Sequence, residues 1–140
     1  MATRVTSWSV DRRMAGSFDL VNAWTAEDEV VIVDAMYSGG VPGTVLRFDM
    51  HTERVPSCMF SSTHSFGPME IAELARSLDR LPRSLVVIGI EVGTTEHGAE
   101  LSPAVADAVA RLAWELEHAR SQADTGSALT DRAGRARRAG

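Results

Sequence analysis

The sequence has no lysine, a single cysteine, a single tyrosine and an aromatic content of only 6%. One cysteine cannot form an internal disulfide, and free cysteines are usually buried core residues, so Cys58 is expected to be inert and internal. No apolar run approaches the ~20 residues of a membrane-spanning helix, and no charged start leads into an apolar stretch. We therefore expect a soluble, cytoplasmic protein with no membrane partner.

The absence of lysine makes all 14 basic residues arginine, and they are unevenly distributed. Residues 1–119 hold 9 Arg and 17 acidic residues, a net charge of -8, whereas residues 120–140 hold 5 Arg and 2 Asp, a net charge of +3. An acidic body argues against nucleic acid as the main ligand. The C-terminal segment is rich in small and polar residues without apolar periodicity, which predicts a disordered tail over 120–140.

Three segments have strand character. The runs VVIVDA and LVVIGI are continuously apolar, which is typical of strands covered on both faces. TVLRFD follows the turn residues SGGVPG and alternates apolar with polar residues, so it is predicted to be a more exposed strand near an edge of the sheet.

Three helical patterns alternate with these strands. Ser17, Pro68 and Ser102 with Pro103 supply the N-cap and first-turn residues expected at helix starts. The apolar stripes are Leu20, Val21 and Trp24; Ile71, Leu74, Ala75 and Leu78; and Val105, Ala108, Val109, Leu112 and Leu116. Strands separated by helices predict a three-layer α/β/α domain with a mainly parallel sheet.

Two acidic residues and one histidine are placed where such a fold binds ligands. Asp34 and Glu91 end the two buried strand patterns, and parallel strands bring their carboxyl ends to one edge of the sheet. His64 lies in the polar loop SSTHSFG that leads into the helix at Pro68. The positive end of that helix favours a neutral imidazole, which is the metal-binding form. Asp34 and His64 are therefore a candidate metal pair.

Each of these residues also has a structural interpretation. An aspartate after a buried strand is often only a turn former, and Glu91 is better explained as structural than as catalytic. His51 and His97 lie in polar surroundings, and His118 lies near a helix end where a cation is favoured, so none of the three is assigned a role.

The ordered series VVIVDA, SGGVPGTVLRFD, SSTHSFG, LVVIGIE and ELSPAV resembles the hydrogenase maturation proteases over about residues 17 to 119. The resemblance implies an aspartic-type endopeptidase that removes a C-terminal extension from the precursor of the nickel-iron hydrogenase large subunit after nickel insertion. It also implies that Asp34 and His64, as catalytic and metal-binding residues, contact nickel carried by that substrate. The precursor is then the expected partner.

The N-terminal end departs from this family. A glycine-rich GxGN strand turn and an acidic segment, which supplies a third metal ligand, have no counterpart in residues 1–16. The first strand region is therefore expected to be truncated, with RVTSWSV as a replacement edge strand at best. Asp11, Asp19 and Glu91 are the candidate substitutes for the missing acid.

Two functions remain open on this sequence. In the first, nickel docks on Asp34 and His64, and Asp34 handles the proton of the attacking water. In the second, the protein is a noncatalytic relative that binds the immature large subunit without cutting it. The family resemblance favours the first, and the missing acidic segment favours the second.

Overall fold

The computed structural model describes residues 18–60, 67–93 and 100–119 of the chain. The chain divides into two compact units, residues 13–109 and a second unit that combines residues 1–12 with 110–140. The atypical N-terminal segment, the C-terminal segment predicted to be disordered and His64 all lie outside the described residues.

The first unit contains a three-stranded sheet with the order β1-β3-β2, where β1 is Glu29–Met36, β2 is Val45–Asp49 and β3 is Ser84–Glu91. The α/β class is confirmed. β1 and β3 are parallel, whereas β2 runs antiparallel to β3. The connection between β1 and β2, residues 37–44, is shorter than the roughly twelve residues that a parallel crossover needs. Among the described strands, the parallel part of the sheet is therefore the β1–β3 pair.

β3 is the central strand and β1 is an edge strand among the described residues. Leu85, Val87 and Ile88 of β3 are buried, as its sequence predicts. Val33 of β1 is 46% exposed, so the prediction that VVIVDA is covered on both faces is wrong at this position. A continuous apolar run favours a covered strand, but coverage depends on neighbours that the run itself does not specify.

One face of the sheet packs against two helical segments. They are a 3-10 helix, Phe18–Asn22, and α1, Pro68–Ser77, with Pro68 in its first turn as predicted. Beneath these helical segments the described buried residues form two clusters, one of Met36, Met50, Phe60, Met69, Ala72, Leu85 and Val87 and one of Val21, Trp24, Ile71 and Ala75. Leu78 was expected to extend the α1 stripe but is 54% exposed, because the helix ends one residue before it.

The last described helix, α2, spans residues 103–119. Its predicted start is confirmed, because the Ser102 hydroxyl accepts a hydrogen bond from the Val105 N–H at 3.4 Å. Val105, Ala108 and Leu112 are buried, but Val109 is 42% exposed and does not belong to the buried stripe. Among the described residues, no helix combines the length and apolarity that a membrane crossing requires.

Cys58 lies in a short 3-10 turn, Ser57–Met59, and is exposed. The expectation of a buried core cysteine is therefore wrong. Free cysteines are usually buried, but this average preference does not determine the environment of an individual residue. Here the neighbouring Met59 and Phe60 contribute to the core, whereas Cys58 does not.

Candidate functional site

The carboxyl ends of β1 and β3 bring Asp34 and Glu91 to the same edge of the sheet, as predicted from the parallel arrangement. Asp34 is opposite Gly89 in the strand register, and Glu91 is opposite Met36. Asp34 is not the final strand residue, because β1 continues for two residues to Met36. The two acids are therefore offset along the strands by one pleat repeat.

Asp34 is a half-buried carboxylate with little compensation for its charge. Strand alternation places it on the same face as Ile32 and Met36, both of which belong to the core beneath α1. Among the described residues, its one hydrogen-bond donor is the adjacent Ala35 N–H, at 2.9 Å from Oδ1. Burial raises the pKa of Asp34 above its ordinary value, and the Ala35 hydrogen bond opposes that shift.

Glu91 is a fully buried carboxylate, and within the described part of the chain its hydrogen-bond partner is Ser38. The Ser38 N–H donates to both carboxylate oxygens at 3.1 Å, and the Ser38 hydroxyl donates to Oε2 at 2.7 Å. A Cβ atom added at Gly40 would lie 3.3 Å from Oε2 of Glu91, so the backbone of the segment after β1 passes close to the carboxylate. Both oxygens of Glu91 are thus used to hold the loop that follows β1.

The segment of residues 37–44, here called the β1–β2 loop, turns back at Val41-Pro42-Gly43-Thr44. The Thr44 N–H donates to the Val41 carbonyl at 3.1 Å, and Gly43 has a φ of 88°. These features match a type II turn, which favours proline at its second position and requires positive φ at its third. The turn motif SGGVPG therefore folds as its sequence indicates.

His64 lies outside the described residues, but the residues that flank its loop are described. On one side, Phe60 forms an isolated bridge with Met36 and belongs to the core cluster that contains Met36. On the other side, Gly67 is the N-cap of α1, and its N–H donates to Glu70 Oε2 at 2.9 Å. Met69, in the first turn of α1, belongs to the same core cluster. The flank at Phe60 therefore lies near the end of β1, and the flank at Gly67 leads into a helix that packs in the same core cluster.

Of the other residues considered from the sequence, those that the structure describes form no metal-binding group with Asp34. Asp11 and His97 lie outside the described residues, and Asp19 is exposed on the 3-10 helix. His51 Nε2 is 2.9 Å from the Pro82 carbonyl, whereas His118 stacks on Trp114 with ring centroids 4.0 Å apart. In the described ranges, no group of three or more histidine, cysteine, aspartate or glutamate side chains could hold a metal ion.

Sequence reasoning missed the role of Ser38. The available signal was the glycine pair in SGG, shortly after β1, because glycine allows a loop backbone to approach a buried group closely. Its partner is 53 residues further along the chain, so no local pattern could pair them.

Comparisons with known proteins give two matches. The family model described as hydrogenase maturation protease matches residues 15–119. The solved structure of the hydrogenase maturating endopeptidase HybD from E. coli is similar at a TM-score of 0.50 and 23% sequence identity, covering 75% of this chain and 67% of that chain. At this identity the structural likeness shows the fold alone. No curated protein sequence matches the chain.

The two descriptions name a protease and an endopeptidase, but they do not support the expected aspartic-type class. Aspartic proteases use two carboxylates that share one proton. Here the second acid at the sheet edge, Glu91, has both oxygens hydrogen-bonded to Ser38.

Proposed function

The chain belongs to the hydrogenase maturation protease family, and on that basis we propose that it is an endopeptidase acting on the nickel-iron hydrogenase large-subunit precursor. In this proposal it removes the C-terminal extension after nickel has been inserted. The nickel belongs to the substrate, and Asp34 and His64 bind it. The family match supports the reaction class, and the substrate and the residues form the finer part of the proposal.

The observation that carries the proposal is the environment of Asp34. It is a half-buried carboxylate at the ligand-binding edge of a parallel strand pair, and burial raises its pKa. Its one donor among the described residues is its own neighbour, so those residues leave lone pairs of the carboxylate available to a ligand. A desolvated, weakly compensated acid at such an edge is typical of a functional site.

The anchors of the His64 loop support pairing with Asp34. Two residues lie between His64 and Gly67, and three steps of at most ~3.6 Å limit the distance between their Cα atoms to roughly 11 Å. Phe60, four residues before His64, is bridged to Met36, which lies two residues beyond Asp34. These chain lengths are compatible with the proposed pairing of His64 with Asp34.

A carboxylate and an imidazole suit nickel bound on a substrate. Imidazole nitrogen is a ligand that nickel accepts well, and a carboxylate adds charge neutralisation. Coordination of the substrate's nickel by both side chains would orient the neighbouring peptide bond. Asp34 would also accept a proton from the attacking water. Its raised pKa moves it towards the range in which a carboxylate is an effective base.

The competing function is a noncatalytic relative that binds the immature large subunit without cleaving it. The two functions predict the same complex with the precursor and differ only in product formation. Both require the Asp34 edge of the sheet, so a test must measure binding and cleavage in the same preparation.

The test is incubation of purified nickel-loaded precursor with the wild-type protein, Asp34→Asn and Asp79→Asn, followed by mass measurement of the large subunit. Asp79 is a matched control, because it is exposed and has a φ of 54°, which asparagine tolerates. We expect loss of the extension with wild type and Asp79→Asn but not with Asp34→Asn. Co-elution without cleavage would favour the noncatalytic function. Neither binding nor cleavage by wild type would overturn both.

A further inference from the structure

Glu91 has no part in the proposed chemistry, but its side chain binds one end of the β1–β2 loop and its backbone binds the other. Its side chain binds Ser38 near the start of the loop, through the N–H and hydroxyl bonds already described. Its backbone binds the far end, because the Gly43 N–H donates to the Glu91 carbonyl at 2.8 Å and the Glu91 N–H donates to the Thr44 carbonyl at 2.9 Å. One residue of the central strand therefore determines the path of the whole loop.

Close packing further restrains the turn of this loop. A Cβ atom added at Gly43 would lie 2.7 Å from the Ala104 carbonyl oxygen, and one added at Gly93 would lie 2.7 Å from Cγ of Pro42. The turn is thus in contact with the backbone of both neighbouring segments. A loop with anchored ends and a packed turn has few alternative conformations to lose on binding.

The loop presents apolar side chains to solvent beyond the carboxyl end of β1. Tyr37, directly after β1, is 50% exposed, and Val41, at the turn, is 75% exposed. Both lie beyond the carboxyl end of the strand that carries Asp34, where α/β sheets bind their ligands. An aromatic and a branched aliphatic side chain on a fixed backbone are suited to contact the apolar residues of an extended peptide.

We propose that Glu91 is a positioning residue that holds the β1–β2 loop as a fixed wall for the substrate chain, with Tyr37 and Val41 as its contact side chains. This inference rests on the proposed function, because the substrate chain is the segment around the scissile bond of the precursor. Glu91 acts through Ser38 and does not touch the reacting atoms. It therefore affects how well the substrate binds, whereas Asp34 affects the chemical step.

Two substitutions separate this role from a general loss of structure. Glu91→Gln keeps an oxygen that accepts from the Ser38 N–H and adds an amide N–H that the Ser38 hydroxyl can accept. Glu91→Leu has a similar volume but leaves the Ser38 N–H without its acceptor. Ile71→Ala, in the buried cluster beneath the 3-10 helix, serves as a control for core destabilisation away from the loop.

The experiment measures kcat and KM for precursor processing, together with hydrogen exchange of the Ser38 and Gly43 amides. We expect Glu91→Leu to raise KM about tenfold or more and to accelerate exchange at the Ser38 amide, since that donor has lost its acceptor. The Gly43 amide donates to the backbone carbonyl of residue 91, which the substitution keeps, so its exchange should change less. kcat should stay within about threefold of wild type. Glu91→Gln should remain near wild type in both, and Ile71→Ala should change stability without changing KM.

Several results would overturn the inference. They are a KM for Glu91→Leu equal to that of wild type, a loss confined to kcat, or a Glu91→Gln variant as impaired as Glu91→Leu. If the wild-type protein neither binds nor cleaves the precursor, the proposed function fails and the docking role of the loop fails with it. In that case the exchange rates still decide whether Glu91 holds the loop.

Discussion

Asp34 and Glu91 follow the same sequence pattern, an acid at the end of an apolar strand, but the structure places them in opposite environments. Glu91 is fully buried and receives three hydrogen-bonding contacts from Ser38. Asp34 is only half-buried and, among the described residues, receives one contact from the adjacent amide. The more deeply buried acid is therefore the better satisfied one.

Under the proposed function, this difference distinguishes Glu91 as a structural acid from Asp34 as a functional one. A buried carboxylate is tolerated when its lone pairs are satisfied, and such a group stabilises the loop that satisfies it. A carboxylate that is desolvated without such partners reduces stability, and this cost is typical of sites retained for binding or catalysis. The following substitutions test whether Asp34 and Glu91 differ in this way, and they are ordered by the size of the expected effect.

The largest effect is expected on activity. Asp34→Asn should lower precursor processing by about a hundredfold or more, the range expected when a proton-accepting group is removed. Glu91→Gln should leave processing near wild type, because it keeps an acceptor for Ser38. The measurement is the rate of appearance of the shortened large subunit by mass spectrometry. Equal losses in the two variants would show that the acids do not have separate roles.

The second effect is on the stability of the loop and the sheet. Glu91→Leu should lower the free energy of unfolding by about 1.5 to 3 kcal/mol, because the hydrogen bonds from the Ser38 N–H and hydroxyl to a charged carboxylate are lost. Urea denaturation measures this change, with Glu91→Gln as the control. A Glu91→Leu protein as stable as wild type would mean that the Ser38 contacts contribute no net stability.

The third effect is an increase in the free energy of unfolding, in contrast to the decrease expected for Glu91→Leu. Because burial raises the pKa of Asp34, the folded state favours the protonated acid, and that preference is lost as pH rises from the ordinary value of 3.8 through the folded-state pKa. Asp34→Asn should therefore be more stable than wild type at neutral pH, by less than about 2 kcal/mol, with the difference vanishing towards pH 3. Thermal unfolding at several pH values measures it, and a destabilised Asp34→Asn at neutral pH would contradict it.

The smallest effect concerns the conformation of the β1–β2 loop. Gly39 has a φ of 81° and nothing within 4 Å of an added Cβ atom, so Gly39→Ala tests backbone strain alone. It should cost about 1 kcal/mol. Asparagine tolerates positive φ better, so Gly39→Asn should cost less. Equal stability of Gly39→Ala and wild type in urea would show that the loop relaxes despite its anchors at Ser38 and Gly43.

Much of the local structure could be predicted from short stretches of sequence. Pro68 begins α1, Ser102 caps α2, and the residues VPG form the turn of the β1–β2 loop, because each depends on backbone preferences within a few residues. The location of Asp34 at the ligand-binding edge was also predictable, since it requires only that β1 and β3 are parallel. The pairing of Asp34 with His64 remains a prediction.

Other features depended on contacts between distant parts of the chain. Val33 has the same character as Val31 and Ile32, which are half-buried, but it is exposed, because it lies on the edge strand of the described sheet. β2 is antiparallel because its connection to β1 is short relative to a crossover. Cys58 is exposed although its residue type favours burial.

The sequence by itself determined where helices, strands and turns form and which two acids stand at the edge of the sheet, because periodicity and backbone preference act over a few residues. Only the tertiary structure decided that Ser38 satisfies Glu91 and that, within the described part of the chain, Asp34 receives one hydrogen bond from its neighbour Ala35. The donor to Glu91, Ser38, is 53 residues away in the chain and reaches it only when β1 and β3 pair. The role of a carboxylate depends on the donors that surround it, and these are set by the packing of distant segments.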